Sequence, residues 1–229
     1  MTEQDLPDGV HVLPLTMTFE GQDVVLNPSA IETERGLLLV DTGTPDTVEQ
    51  LEARLEEVGY ALSDVASVLV THQDGDHAGG LATVVQRANP FVVAHERAGP
   101  VVDGRDSTRG PGDDRYPPAR VDLELGGTAT FSTRAGPARV VPTPGHTPGH
   151  VSMYLPEERL LLAADALTAD EDGLQGPRPD MSRHMGEALR SVARLAELDV
   201  ERTLCYHGGF VDEGSDRIAE IGTDDHAPG

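Results

Sequence analysis

Short apolar runs separated by polar turns fill most of the chain. Apolar or alternating runs of this kind predict β-strands, because successive side chains on a strand point to opposite faces. The predicted strands cover residues 10–15, 23–33, 36–41, 65–71, 121–125, 128–133, 138–142, 150–155, 159–164 and 202–206.

A few other segments have helical spacing or helical end signals. One helix is predicted from about Asp46 and ended by Gly59, and two more over 81–88 and 182–198. A last short helix is predicted near Asp216. Two β-rich halves, each flanked by helices, predict an α+β fold with a four-layer αββα sandwich. At 229 residues the chain is predicted to form a single domain, 1–229.

Residues 100–120 show no apolar periodicity and are rich in Gly, Pro, Asp and Arg. This composition predicts a long loop within the domain, which could act as a lid and contribute to substrate selection.

The composition is strongly acidic. Formal net charge is −23, from 40 acidic and 17 basic residues, and every basic residue is Arg. Such an excess keeps a protein hydrated and soluble, as in organisms with a salty cytoplasm, so we interpret it as a halophilic adaptation. Binding to nucleic acid or to anionic membranes needs clustered basic residues, so we expect neither partner. The expected partner is a small-molecule substrate, and the sequence makes no prediction of oligomeric state.

The N-terminal sequence MTEQDLPDGV has no basic start and no apolar signal core, and no stretch approaches the roughly 20 apolar residues of a membrane span. We therefore expect a cytoplasmic protein. Cys205 is the single cysteine, so no intramolecular disulfide can form, and its strand-like surroundings favour a role in core packing.

The segment His72-Gln73-Asp74-Gly75-Asp76-His77 places four potential metal ligands within six residues, directly after a predicted buried strand. A single His or Asp in such a loop is more often a solvated surface residue. Four together, in a loop that lets side chains converge, predict a metal site.

This segment resembles the T-H-x-H-x-D-H-x-G-G motif of the metallo-β-lactamase superfamily, particularly its glyoxalase-II-like hydrolases. The matching residues are Thr71, His72, Asp76, His77, Gly79 and Gly80, and Asp74 replaces the second histidine of the motif. Four further family motifs are present in the family's order: Asp41 in LLLVDTG before this segment, and His146 in PTPGHTPGH, Asp165 in LLLAADAL and His207 in CYHGG after it. The resemblance spans nearly the whole chain.

The resemblance implies a site for two divalent metal ions. One ion would take His72, Asp74 and His146, the other Asp76, His77 and His207, and Asp165 would bridge them. Asp76 and Asp165 would also act in catalysis, and Asp41 would orient the histidine ligands by hydrogen bonding. Zinc is expected first, with iron or manganese as alternatives, because Asp74 adds a hard oxygen donor.

The implied activity is hydrolysis of a small thioester, lactone or related ester through a metal-bound hydroxide. Glutathione thioesters specifically are not expected, since the chain ends soon after His207, where glyoxalase II has a helical substrate domain. Two alternatives stay open: an iron-dependent oxidoreductase of the same fold, similar to sulfur dioxygenases, and an inactive metal-binding module in which Asp74 turns away.

Overall fold

The computed structural model describes residues 6–108 and 115–223 of the 229. Contacts between residues divide the chain into two compact units. The N-terminal unit comprises residues up to 126 together with 133–135, and the C-terminal unit comprises 127–132 and the residues from 136 onward. The prediction of a single domain stays a prediction.

The described residues of the N-terminal unit form a six-stranded sheet, a separate hairpin and four α-helices. Its strands are β1 (Val10–Val12), β2 (Leu15–Phe19), β3 (Gln22–Leu26), β4 (Ser29–Thr33), β5 (Gly36–Val40), β6 (Val65–Val70), β7 (Phe91–His95) and β8 (Leu123–Leu125). Its helices are α1 (Val48–Glu57), α2 (Gly75–Ala78), α3 (Leu81–Ala88) and α4 (Gly99–Val102). The sheet order is β1-β4-β5-β6-β7-β8, and β2 pairs with β3.

The centre of this sheet is parallel, since β5, β6, β7 and β8 all run in the same direction. Helix α1 buries Val48, Leu51 and Leu55, as its apolar spacing predicts. Parallel strands end at the same edge of a sheet, so the residues that follow β5 and β6 come out side by side. Those residues are Asp41 and Thr71.

In the C-terminal unit, the residues that the structure describes form a second six-stranded sheet, a small hairpin and two α-helices. Its strands are β9 (Ala129–Thr133), β10 (Gly136–Pro142), β11 (Val151–Leu155), β12 (Leu160–Ala164), β13 (Thr168–Asp170), β14 (Gly173–Gln175), β15 (Arg202–Cys205) and β16 (Gly209–Val211). Its helices are α5 (Met185–Leu195) and α6 (Ser215–Thr223). The sheet order is β16-β15-β12-β11-β10-β9, and β13 pairs with β14.

The core of the C-terminal unit joins the sheet to α5 and α6. Leu161, Val192, Leu195 and Ile218 are fully buried in one cluster. Cys205 is a free cysteine buried in the same cluster, as the sequence predicts. Burial raises the pKa of its thiol, which therefore stays protonated and unreactive.

Most predicted elements are present, with some differences in extent. The strand predicted over 23–33 is two strands, because Asn27-Pro28 interrupts it and proline cannot donate to the sheet. The helix predicted over 182–198 is shorter, from Met185 to Leu195. The loop predicted over 100–120 begins inside α4, and its residues 109–114 lie outside the described residues. Across the described parts of the chain, no helix is long and apolar enough to cross a membrane.

Candidate metal centre

The predicted ligands of the N-terminal unit follow the end of β6. His72 and His77 are fully buried, whereas Asp76 keeps a partly exposed carboxylate. The segment begins as an extended loop, and Gly75–Ala78 then form one turn of helix, α2, with Asp74 as its N-cap residue. The polar loop predicted for these residues is therefore partly helical.

Asp41 holds the start of this segment in place. Its Oδ1 accepts a hydrogen bond from the Thr71 amide at 2.8 Å, and its Oδ2 accepts one from the Thr71 hydroxyl at 2.6 Å. The same Oδ2 lies 2.7 Å from His77 Nδ1. Asp41 adopts a left-handed backbone with φ of 63°, a strained conformation that these bonds hold in place.

These bonds also fix which nitrogen of each histidine can bind a metal. A carboxylate can only accept, so His77 Nδ1 donates to Asp41 and His77 Nε2 presents its lone pair. The Thr71 hydroxyl, which donates to Asp41, accepts from His72 Nδ1 at 3.1 Å, so His72 has the same tautomer. His72 Nε2 lies 3.5 Å from Asp74 Oδ2, and His77 Nε2 lies 3.8 Å from Asp76 Oδ2.

Glycine lets α3 start against the loop that follows Asp41. The Gly80 amide donates to Gly43 O at 2.9 Å, and the Thr42 amide donates to His77 O at 2.8 Å. A Cβ on Gly80 would collide with the backbone oxygen of Thr42. The two segments that carry Asp41 and His77 can therefore approach closely only with glycine at position 80.

Tyr116 contacts residues 72–77, the candidate metal-binding segment, from the loop before β8. Its hydroxyl donates to the backbone oxygen of Gln73 at 2.7 Å, and the side chain is buried. Burial raises the pKa of Tyr116, with a smaller opposing effect of Arg115, so the phenol stays protonated and able to donate.

In the C-terminal unit, three predicted ligands follow three strands. His146 follows β10, Asp165 follows β12 and His207 follows β15. One carboxylate oxygen, Asp165 Oδ2, lies 3.6 Å from His146 Nε2 and 3.5 Å from His207 Nε2. A single oxygen at nearly equal distances from two imidazole nitrogens is the arrangement expected of a shared ligand.

His150 supports Asp165 through its backbone. The Asp165 amide donates to His150 Nε2 at 3.0 Å, so the proton of the ring is on Nδ1, which donates to the Thr143 hydroxyl at 2.8 Å. Thr143 Oγ1 lies 3.0 Å from Ser152 Oγ, which donates to Ala163 O. These bonds flank Ala164, whose left-handed φ of 48° turns the chain as Asp165 leaves the strand.

The family model of the metallo-beta-lactamase superfamily matches residues 23–207. This region is most of the chain. The chain belongs to the metallo-beta-lactamase superfamily. Its fold agrees, because a metallo-beta-lactamase family protein from Thermus thermophilus superposes with a TM-score of 0.74 at 25% identity, covering 93% of this chain and 78% of that one. The predicted α+β fold of the superfamily is therefore confirmed.

Two curated relatives of the superfamily show what this chain is similar to. It is 27% identical over 209 residues to a protein described as probable metallo-hydrolase YflN of Bacillus subtilis (strain 168), covering 75% of each. It is 33% identical over 141 residues to a hydroxyacylglutathione hydrolase of Rhizobium meliloti (strain 1021), covering 58% of this chain and 48% of that protein. The match spans 62% and 60% of two other relatives, from Caenorhabditis elegans and Pestalotiopsis microspora, so most of these proteins extend well beyond the matched region.

Donor chemistry and spacing within each unit fit divalent metal ions. Two ligand atoms at the zinc distances of about 2.0–2.2 Å in a tetrahedral site lie about 3.3–3.6 Å apart. The four His–Asp pairs described above have separations between 3.5 and 3.8 Å. Such separations are long for hydrogen bonds but suit two ligands of one ion. Histidine and aspartate side chains of both units are thus able to bind metal.

The motifs of the sequence predict each of these His and Asp residues as a ligand and Asp41 as the residue that orients the histidines, but they do not indicate the other side chains that hold this region. Thr143 and Ser152 carry no motif, and Tyr116 lies in a segment whose composition indicates only a loop. The one available signal was the HTPGH phrase, which places His150 four residues after His146.

Proposed function

We propose that this protein is a metal-dependent hydrolase that cleaves a small thioester, lactone or related ester. The observation that carries the proposal is the position of Asp165 Oδ2, 3.6 Å and 3.5 Å from the Nε2 atoms of His146 and His207. Membership of the superfamily supports the complete assignment. One ion would be held by His72, Asp74 and His146, the other by Asp76, His77 and His207, and both by Asp165.

When bound, two divalent ions acidify a water molecule and polarise the carbonyl of the ester. The chain's own contribution begins with orientation. Asp41 and Thr71 keep the Nε2 atoms of His72 and His77 available as ligands, which removes the need to select a tautomer or rotamer during binding. His150 holds the backbone of Asp165 in place by accepting a hydrogen bond from its amide.

Asp76 is the residue we assign to the attacking water. Its carboxylate is 29% exposed, whereas His77 beside it is fully buried, so Asp76 can meet solvent while its partner cannot. A carboxylate oxygen there can accept a hydrogen bond from the water and direct its lone pair at the carbonyl carbon. The leaving thiolate or alkoxide would take its proton from solvent.

Thioesters come first among the substrate classes. A hydroxyacylglutathione is a thioester, and relatives carrying that name match this chain at 33% identity or more over their shared region. The shared region covers 48% and 52% of those two proteins. The similarity therefore supports cleavage of a thioester, but it does not support recognition of the glutathione group.

The first experiment is metal analysis of the full chain, purified without added metal, by elemental mass spectrometry. Two zinc or manganese ions per chain are expected. A single iron with a visible absorption band would favour the oxidoreductase alternative, which the extra oxygen donor of Asp74 makes chemically reasonable. Failure to retain or take up any metal would refute a metal-dependent activity.

A substrate screen with a matched pair of variants completes the test. The purified protein is assayed with a simple acyl thioester, a glutathione thioester, a lactone and a chromogenic β-lactam. Asp165→Asn removes the charge of the shared ligand and is expected to lower hydrolysis at least about 100-fold. Asp199→Asn changes an exposed carboxylate that pairs with Arg159, and should leave hydrolysis unchanged. Equal activity of both variants would contradict the assigned role of Asp165.

A further inference from the structure

Tyr116 is a buried polar residue that the proposed function does not yet use. Its side chain is 9% exposed, and its hydroxyl donates to the backbone oxygen of Gln73 at 2.7 Å. Its ring also covers the start of α2, since a Cβ on Gly75 would lie 3.6 Å from ring atom Cδ1. Tyr116 therefore contacts the metal-binding segment through both its hydroxyl and its ring.

The bonded carbonyl lies between two anchored points of the segment. Before it, Thr71 is held by Asp41. After it, the Asp74 carbonyl accepts the His77 and Ala78 amides at 3.1 and 2.9 Å, which fixes Asp74 to α2. His72 and Gln73 lie between these two anchors, and Gln73 is the residue that Tyr116 holds. Rotation of its peptide would turn His72 and Asp74 relative to each other, because it joins their backbones.

Tyr116 is itself held firmly. The neighbouring Arg115 donates to the backbone oxygens of Val101 and Val102 at the end of α4, and the Ala119 amide donates to Val102 O at 3.2 Å. Pro117 follows directly, and a residue before proline is restricted to extended conformations. The phenol is therefore a fixed support on α4 and its adjoining loop rather than a mobile side chain.

We propose that Tyr116 is a positioning residue of the metal site, and that its hydroxyl sets the relative orientation of His72 and Asp74 by holding the carbonyl of Gln73. The proposal rests on the proposed function, because it requires these two residues to be metal ligands. It assigns part of the loop predicted over 100–120 a supporting role at the metal site, separate from any role as a lid.

Tyr116→Phe tests the proposal, because it removes one oxygen and keeps the ring that packs on Gly75. The control is Tyr154→Phe, since Tyr154 is also buried, at 4% exposed, and its hydroxyl also donates to a backbone oxygen, that of Asp199, at 2.7 Å. The two variants lose the same type of hydrogen bond, one at the metal-binding segment and one in the C-terminal unit at residues that are not predicted ligands. Any general loss of stability should therefore be shared by both.

The measurement is the transfer of zinc from the purified full chain to a chelator whose absorbance changes when it binds zinc. Tyr116→Phe is expected to weaken zinc retention about tenfold, in the range found when supports of metal ligands are removed. Tyr154→Phe is expected to stay within about twofold of the unmodified protein. The visible spectrum of the cobalt-substituted protein should change in Tyr116→Phe alone, because its bands report ligand geometry. Thermal unfolding of both metal-free variants measures the shared stability loss.

Each result is decisive. Zinc retention by Tyr116→Phe within about twofold of the unmodified protein, with an unchanged cobalt spectrum, would overturn the positioning role and leave the proposed function intact. Equal weakening in both variants would also overturn it, since the effect would then be one of general stability. An unmodified protein that retains no metal would overturn the proposed function, and the role of Tyr116 with it.

Discussion

At the scale of single residues, Asp41 is the group on which the N-terminal ligand set depends most. Its carboxylate accepts three hydrogen bonds, from the Thr71 amide, the Thr71 hydroxyl and His77 Nδ1. An amide at this position would present an N–H donor toward groups that also donate. Asp41→Asn should therefore lower the free energy of unfolding by about 2–3 kcal/mol.

Urea denaturation of the metal-free protein measures this loss. The control is Asp122→Asn. The Asp122 carboxylate also accepts hydrogen bonds from a backbone amide, that of Val92, and from the Arg120 guanidinium, but its side chain is 24% exposed. We expect a loss of about 1 kcal/mol or less for the control. Similar losses for the two variants would show that Asp41 has no special role.

Asp74 is the residue at which this chain departs from the family motif, and its charge leads to a prediction about pH. With Asp74, Asp76 and Asp165 as ligands, three carboxylates oppose the four positive charges of two divalent ions. Asp74→His removes one of those negative charges, so the site becomes more positive and acidifies water more strongly. The pH at which kcat/KM for a thioester is half-maximal should fall by roughly one unit, on the scale of ordinary single-charge effects.

The measurement is a pH profile of kcat/KM with equal metal content verified in both proteins. Asp172→His serves as the control, because Asp172 is exposed in the turn between β13 and β14. A profile unchanged by Asp74→His would argue that Asp74 does not ligate.

At the scale of elements, hydrogen bonds join the junction between α2 and α3 to the loop after β5. Gly80 has an ordinary helical φ of −76°, so alanine there would be sterically penalised only by its neighbours. Its Cβ would collide with the backbone oxygen of Thr42, and a backbone atom cannot move aside as a side chain can. Gly80→Ala should therefore lower unfolding stability by about 1–3 kcal/mol.

Chemical denaturation tests this expectation, with Gly127→Ala as the control because no atom lies within 4 Å of its Cβ position. The control should change stability by less than about 0.5 kcal/mol. If both substitutions were equally mild, the close approach of the two segments would not be required by the fold.

The elements also show what the sequence could and could not predict. Strong periodicity predicted α1, α3 and the buried strands β5, β6 and β12 close to their observed bounds, because burial on a regular element leaves a regular pattern. β13, β14 and β16 were missed, since three-residue strands are too short to show a period. β7 was also missed, although FVVAH is apolar and β-branched, because a run that short does not separate strand from helix.

The candidate site divides in the same way. Its His and Asp ligand candidates were predicted because they lie in compact motifs directly after apolar strands. Tyr116 could not be predicted, because its contact with Gln73 joins residues 43 positions apart. No pattern in the sequence around Tyr116 or Gln73 indicates that the two residues pair, because the pairing depends on the path of the loop before β8.

At the scale of the whole molecule, the formal charge of −23 predicts a strong dependence of stability on salt. Forty acidic residues face 17 arginines, so repulsion between carboxylates opposes the folded state more than the expanded one. Salt shortens the range of that repulsion from about 10 Å at 0.1 M to about 3 Å at 1 M. The midpoint of thermal unfolding should therefore rise by several degrees between 0.05 and 1 M NaCl, since about 1 kcal/mol corresponds to about 2–4 °C in a chain of this size.

Salt could raise the unfolding midpoint by screening charges or because it is excluded from the protein surface. A comparison of two salts distinguishes these explanations. Screening depends on ionic strength, so NaCl and Na₂SO₄ at equal ionic strength should raise the midpoint alike. Exclusion is stronger for sulfate, which would then stabilise the protein more. A midpoint that does not change with NaCl would mean that the arginine pairs, such as Arg87 with Glu49 and Glu52, already balance the repulsion. In that case the acidic residues would contribute to hydration only, because the folded state would not need salt to screen the repulsion between its carboxylates.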